Sequence, residues 1–246
     1  LSIVPADATG VRIVVAPDGS LHMTFVTDEI SWYATNASGT WVKRRLDHAM
    51  GNNAQVAVDS LGRVHLIFNQ CTNDGTGTCD EAGIWYQTNA SGSWVTTRIS
   101  TDQQDYGEDL LVDAAGKVHL VFVREFNSQA QPDLPLGTYY MTNATGVWRT
   151  VRVAGSGRMA SIERTKGGIV EIVYTRVDEG RGIYRATNAT GAWVRTTLVS
   201  EYALYPSVGM DSYGRLHMAF MRMAIDPGVY YLTNRGGTWS RLELMD

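Results

Sequence analysis

Apolar residues along this chain come in short runs separated by Gly, Asn, Asp and Ser, and helical periodicity is never sustained over three turns. The stretch 55–99 shows the pattern. Gln55–Asp59 is β-rich, Ser60–Arg63 a turn, and Val64–Phe68 a second apolar run. After a polar loop come Ile84–Thr88, the turn Asn89–Gly92, and Trp94–Ile99. Four short strands, here named A to D, with tight A–B and C–D turns are predicted. Strands A and B are apolar at nearly every position, as expected of sheets covered on both faces.

The unit repeats. Tyr33–Trp41 (Tyr-Ala-Thr-Asn-Ala-Ser-Gly-Thr-Trp) returns as Tyr86–Trp94, Tyr140–Trp148, Arg185–Trp193 and Tyr231–Trp239. Before each stands Gly-x-[Leu/Val]-His, at Gly19–His22, Gly62–His65, Gly116–His119 and Gly214–His217; the fourth copy reads Gly168–Glu171. Modules of about 45 to 54 residues, near 1–50, 51–104, 105–156, 157–202 and 203–246, predict one all-β domain, a five-bladed β-propeller with four antiparallel strands per blade. These modules resemble the repeats of secreted bacterial β-propeller proteins that read Asp-x-x-Gly-x-Val-His through Tyr-x-Thr-Asn-Ala-Ser-Gly-x-Trp. Their C–D turns are loosely similar to the Asp-box hairpins of sialidase-type propellers, and the blade number is similar to that of tachylectin-like lectins. The resemblance implies an exported propeller and leaves the ligand open.

Composition narrows the partners. The formal charge of −4 without a basic block argues against a nucleic-acid groove. No apolar run approaches the length of a membrane-spanning helix, and no cofactor motif is present. Cys71 and Cys79 bracket a Gly-rich loop, without the further soft ligands a metal needs. A disulfide is expected, which places the protein in a secreted or periplasmic setting. Asn73, Asp74, Asp80 and Glu81 of this loop lack the spacing of a calcium loop, so no metal is assigned. A monomer is expected.

Repetition separates chassis from site. A catalytic group is needed once, whereas a packing solution is needed in every blade. The four repeated His are therefore read as structural partners of Tyr33, Tyr86, Tyr140 and Tyr231, with Glu171 and Arg185 exchanging the pair for an ion pair. Asp59, Asp113 and Asp211 are expected to cap the A–B turns. The sequons at Asn36, Asn89, Asn143 and Asn188 are read as C–D turns, and the repeated Trp as blade-to-blade packing.

Function is sought where modules diverge, on the face of the B–C and D–A loops. Ten residues before the His position stand Arg12, Gln55, Asp109, Ser161 and Ser207; five after it, Thr27, Gln70, Arg124, Arg176 and Arg222. With Arg158 and the loop aromatics Tyr106, Tyr202 and Tyr205, these outline a ligand site for a glycan or other small anion, gripped by guanidinium groups. An acidic sugar at one asymmetric site is favoured. The alternatives are a lyase or glycoside hydrolase acting on uronate- or sialate-like sugars, or a protein-interaction scaffold. For an enzyme, His48, Tyr106 and Tyr205 are candidate bases, and Glu108 and Asp109, with Glu125, candidate carboxyl groups.

Overall fold

The computed structural model describes the chain except residues 1–2, 29, 51–53, 71–81, 103, 125–134, 156, 177–180, 225 and 246, and the side chains of 47–50 and 70. It is an all-β, five-bladed propeller. Blade 1 consists of β1 (Thr9–Val15), β2 (Leu21–Thr27), β3 (Ile30–Thr35) and β4 (Val42–Met50). Blade 2 follows as β5 (Gln55–Val58), β6 (Val64–Gln70), β7 (Gly83–Thr88) and β8 (Val95–Arg98). Blade 3 holds β9 (Asp105–Val112), β10 (Val118–Arg124), β11 (Gly137–Thr142) and β12 (Arg149–Ala154). Blade 4 holds β13 (Arg158–Arg164), β14 (Val170–Thr175), β15 (Ile183–Thr187) and β16 (Val194–Val199). Blade 5 ends the series with β17 (Ala203–Met210), β18 (Leu216–Arg222), β19 (Gly228–Thr233) and β20 (Ser240–Met245). Each blade is an antiparallel meander in chain order, and a single bridge, Ala49 to Gln70, joins the first two into one sheet. Among the described residues no helix is long and apolar enough to cross a membrane.

By compactness the chain divides into two units, Leu1–His119 with Thr142–Trp148, and Leu120–Glu125 with Pro135–Met141 and Arg149–Asp246. In the first, Tyr33, Leu46, Val56, Leu66 and Phe68 form a core between blades 1 and 2. In the second, Val173, Ile183, Met218, Phe220 and Leu232 do the same between blades 4 and 5. Strand B lies at the centre of this packing: every residue of β10 and of β14 is buried. Strand D is the outer edge, and all of β20 is exposed.

One clamp closes the turn end of every blade. The Asn of the C–D turn accepts the N–H of the first residue of strand B: Asn36 from Leu21, Asn89 from Val64, Asn143 from Val118, Asn188 from Val170 and Asn234 from Leu216, at 2.7–2.8 Å. The Thr before it donates to the carbonyl of that same residue, at 2.8 Å from Thr88, Thr142 and Thr233. One residue is thus held at both of its backbone polar groups, which explains the Thr-Asn of the motif. Asn234 makes the bond outside any sequon, so the turn, not glycosylation, accounts for the repetition. The turns close through residues such as Gly62 and Gly92, at φ of 75° and 88°, where a side chain would strain the backbone.

Blade 5 departs from the others on one face. Two residues after the His position, Thr24, Ile67, Val121 and Val173 are all but inaccessible, whereas Ala219 is exposed and Met221, two further on, is 42% exposed. Solvent reaches this face of β18. Ala219→Lys is therefore expected to change unfolding free energy by no more than about 0.5 kcal/mol. The same change at Val173 buries an unpaired ammonium and is expected to cost more than about 4 kcal/mol. Urea denaturation of both variants checks the contrast.

Candidate functional site

Three of the inner strands carry a β-bulge near their loop ends. Register shifts fall between Thr9 and Arg12 in β1, Arg158 and Ser161 in β13, and Leu204 and Ser207 in β17. Inside each bulge one residue adopts the left-handed conformation: Gly10 at φ 58°, Met159 at 50° and Tyr205 at 54°. Blade 1 uses the residue that takes this conformation without strain. Blades 4 and 5 place a side chain there at a cost of about 1–3 kcal/mol. A bulge re-aims the side chain it carries, and Tyr205 is turned out to 56% exposure.

Blade 5 also carries cations seated on aromatic rings. Arg222, the last residue of β18, pairs with Ala203 two positions before Tyr205. Its guanidinium lies 5.6 Å from the Tyr230 ring centroid, and its Nη1 donates at 3.5 Å to the Tyr230 hydroxyl. Arg241 lies over the same ring at 5.5 Å and donates to Glu201 at 3.0 Å. That hydrogen bond leads the causes that hold the Glu201 carboxyl below its ordinary range. Arg181 lies 5.4 Å over Tyr202. Among the described residues three guanidinium groups thus stand on tyrosine faces, with the Glu201 carboxylate bonded to Arg241, an arrangement suited to an anionic, partly apolar ligand.

The arginine trio singled out from sequence has a blade-internal seat. Arg124 lies over Tyr139 at 5.5 Å, Arg176 over Tyr184 at 5.3 Å, and Arg222 over Tyr230. Each of these tyrosines stacks in turn on a strand-B ring, Phe122, Tyr174 or Phe220. Tyr139 and Tyr230 donate their hydroxyls to the B–C loop carbonyls of Pro135 and Asp226. Arg124 is 3% exposed and so acts inside this stack. In blades 1 and 2 strand C has Trp32 and Trp85 at that position, and Thr27 and Gln70 replace the arginine.

Other predicted residues separate. Arg12 donates from Nε to Gln55 Oε1 at 3.1 Å, joining the inner strands of blades 1 and 2. Tyr106, Glu108 and Asp109 are half-buried on β9, where Asp109 accepts the N–H of Leu110 at 2.9 Å. Arg158 is half-buried at the bulge of β13, and Ser161 accepts the N–H of Val208 at 3.4 Å. The side chain of His48, with Gln70, Cys71, Cys79 and the oxygen donors of that loop, and Glu125, lie outside the described residues. Arg181, Glu201 and Arg241 were not singled out from sequence. Arg181 and Glu201 fall in a B–C and a D–A connection, whereas Arg241 follows a C–D turn and carried no such signal.

At the opposite end of the blades the repeated His are partners of the repeated Tyr. Nδ1 of His22, His65 and His217 lies 2.6, 2.5 and 2.5 Å from the hydroxyls of Tyr33, Tyr86 and Tyr231. Nε2 of His119 and of His217 lies 3.3 Å from the Asp that caps the turn, and that of His65 3.6 Å from Asp59. In a neutral imidazole whose Nε2–H faces the carboxylate, Nδ1 is the acceptor for the tyrosine O–H. Glu171 and Arg185 replace the pair with a two-pronged ion pair, both bonds 2.7 Å. Next to these tyrosines, Trp94, Trp148 and Trp193 of the following blade pack at 5.7, 5.3 and 5.5 Å from Tyr33, Tyr86 and Tyr140.

No protein-family model matches the chain, and no curated protein matches its sequence. Solved structures match in fold. The SapL1 lectin in complex with α-methyl fucoside is 12% identical at a TM-score of 0.63, covering 96% of this chain and 80% of that one. A PL25 polysaccharide lyase, an ulvan lyase bound to a GlcA–Rha3S repeat, is also 12% identical at 0.63, covering 92% and 69%. The intramolecular trans-sialidase from Ruminococcus gnavus, in complex with oseltamivir carboxylate, is 10% identical at 0.61, covering 95% and 83%. At such identities the likeness is one of fold.

Burial holds the pKa of His22 and His65 below that of a free imidazole, with nearby Asp18 and Asp59 acting weakly the other way. The folded state therefore binds these protons less readily than the unfolded chain. Their contribution is fully present above about pH 6.5 and is lost as pH falls toward the folded values. Thermal unfolding between about pH 7.5 and pH 5 is expected to show this loss, and a His22→Gln/His65→Gln variant a flatter profile from a lower starting point.

Proposed function

We propose that this propeller binds a carbohydrate, preferentially an acidic one, outside the cytoplasm, at one asymmetric site on the loop face. Tyr205 carries the reading. It is a bulky residue kept in a strained conformation, turned to solvent, where blade 1 has Gly. No packing need is met by an aromatic ring at 56% exposure. A ligand that stacks on it gives the strain a purpose. Arg222 and Arg241, standing on Tyr230, supply forked donors to a carboxylate or sulfate. The trans-sialidase, lyase and lectin named above support the reading as propellers whose ligands are sugars or sugar mimics.

A second reading is a lyase. An exposed phenol and a guanidinium at one blade end are the base and the carboxylate-neutralising cation that elimination from a uronate requires. Release of unsaturated sugar, read by its ultraviolet absorbance, separates turnover from binding.

Tyr205→Gly tests the principal reading, because binding and stability are expected to move apart. Gly relieves the left-handed strain, so the melting temperature should hold or rise. Binding to an array of sialylated and sulfated oligosaccharides should fall at least about tenfold. Wild-type protein that binds none of these glycans, or a Gly variant that binds them equally well, would refute the assignment.

A further inference from the structure

The turn end of blades 1 and 2 encloses a cleft of about 380 Å³, lined by His22, Tyr33, Arg44, Val64, Asn89 and Trp94 among others. It is bordered by the His–Tyr and Asn contacts given above to the chassis. The repeat isolates what is unusual in it. Three residues after the strand-D Trp stand Arg44, Thr97, Val151, Thr196 and Leu242, so only blade 1 places a cation there. Arg44 Cζ sits 4.3 Å above the Trp94 ring of the next blade.

A guanidinium lying flat on an indole keeps its N–H fork directed outward in its own plane. Among the described residues no carboxylate or carbonyl accepts from Arg44, and no Asp or Glu lines the cleft. The walls are otherwise aromatic or neutral. Tyr33 meets Trp94 edge-on at 66°, and its hydroxyl is engaged by His22. Burial raises the Tyr33 phenol to about 12, so it brings no negative charge to the cleft at neutral pH. Asn89 Oδ1 accepts the N–H of Val64, leaving its Nδ2 amide as a second donor. Lys43 also borders the cleft, but its Nζ lies 5.0 Å over Trp32, on the other side of its strand.

We infer that this cleft is a second binding site, for a small organic carboxylate such as a sugar acid, with Arg44 gripping the two oxygens and Trp94 holding the guanidinium in place. The volume suits a monosaccharide, at the lower end of ligand pockets of roughly 300–1,000 Å³. A bidentate pair in a half-buried site is stronger than a surface ion pair, yet remains sensitive to salt.

Isothermal titration calorimetry of the intact protein with sodium glucuronate, and with glucose as the neutral control, tests the site. Glucuronate is expected to bind and glucose not to, with affinity falling at high ionic strength. Arg44→Gln should weaken glucuronate binding at least about tenfold, and Arg44→Lys, which keeps the charge without the fork, should fall between. Arg195→Gln, the same charge change at an exposed position of blade 4, should leave affinity unchanged. Tyr205→Gly should also retain this binding, which separates it from the loop-face site. The inference is overturned if wild-type protein binds glucuronate no better than glucose, or if Arg44→Gln binds it undiminished. It is equally overturned if Tyr205→Gly, rather than Arg44→Gln, abolishes the signal.

Discussion

Stacking sheets face to face buries both sides of strands such as β10 and β14, and that burial presses the polar groups at the turn end to find partners inside the protein. The Thr-Asn clamp, the His–Tyr pair and the Asp-capped turn all answer this requirement. Each member satisfies the next. Asn234 accepts the N–H of Leu216, His217 follows on the opposite face of the strand, and Asp211 supports both its turn and the imidazole. A buried group deprived of its partner costs about 1–3 kcal/mol, so the set is retained blade after blade. Where it changes, it changes as a pair, Glu171 with Arg185.

Fixing one end of the blade frees the other. Loop-end strands are not bound by the same network and tolerate bulges, left-handed residues and loops of differing length. The three bulges show the consequence. They share one place in the strand yet carry Gly10, Met159 and Tyr205, three side chains with nothing in common. The geometry there is inherited from the fold, and the chemistry is free to vary.

The chassis was legible in the sequence because it repeats. Five copies of one motif predicted the blades, and the coupled exchange at Glu171 and Arg185 predicted which residues touch. The loop end was less legible. The recurrence of Arg124, Arg176 and Arg222 was visible, but their tyrosine seats depend on the pleat of strands B and C, which places Tyr139, Tyr184 and Tyr230 beside them. The matching swap to Trp32 and Trp85 in the two blades without arginine carried that information. The strain at Tyr205 has no sequence signature, since a left-handed Tyr looks like any other. Arg241 and Arg181 reach Tyr230 and Tyr202 from neighbouring strands and loops, a proximity that spacing along the chain does not reveal.

Hydrogen–deuterium exchange in the presence of an acidic oligosaccharide addresses the division of labour most directly. Slower exchange of the amides at 200–207 and 222–224 on adding the sugar, with the Asn-clamped amides of Leu21, Val64, Val118, Val170 and Leu216 already slow without it, is the predicted result. Slowing confined to other parts of the blades, with the segment around Tyr205 indifferent to the sugar, would contradict a ligand-binding loop end on a fixed chassis.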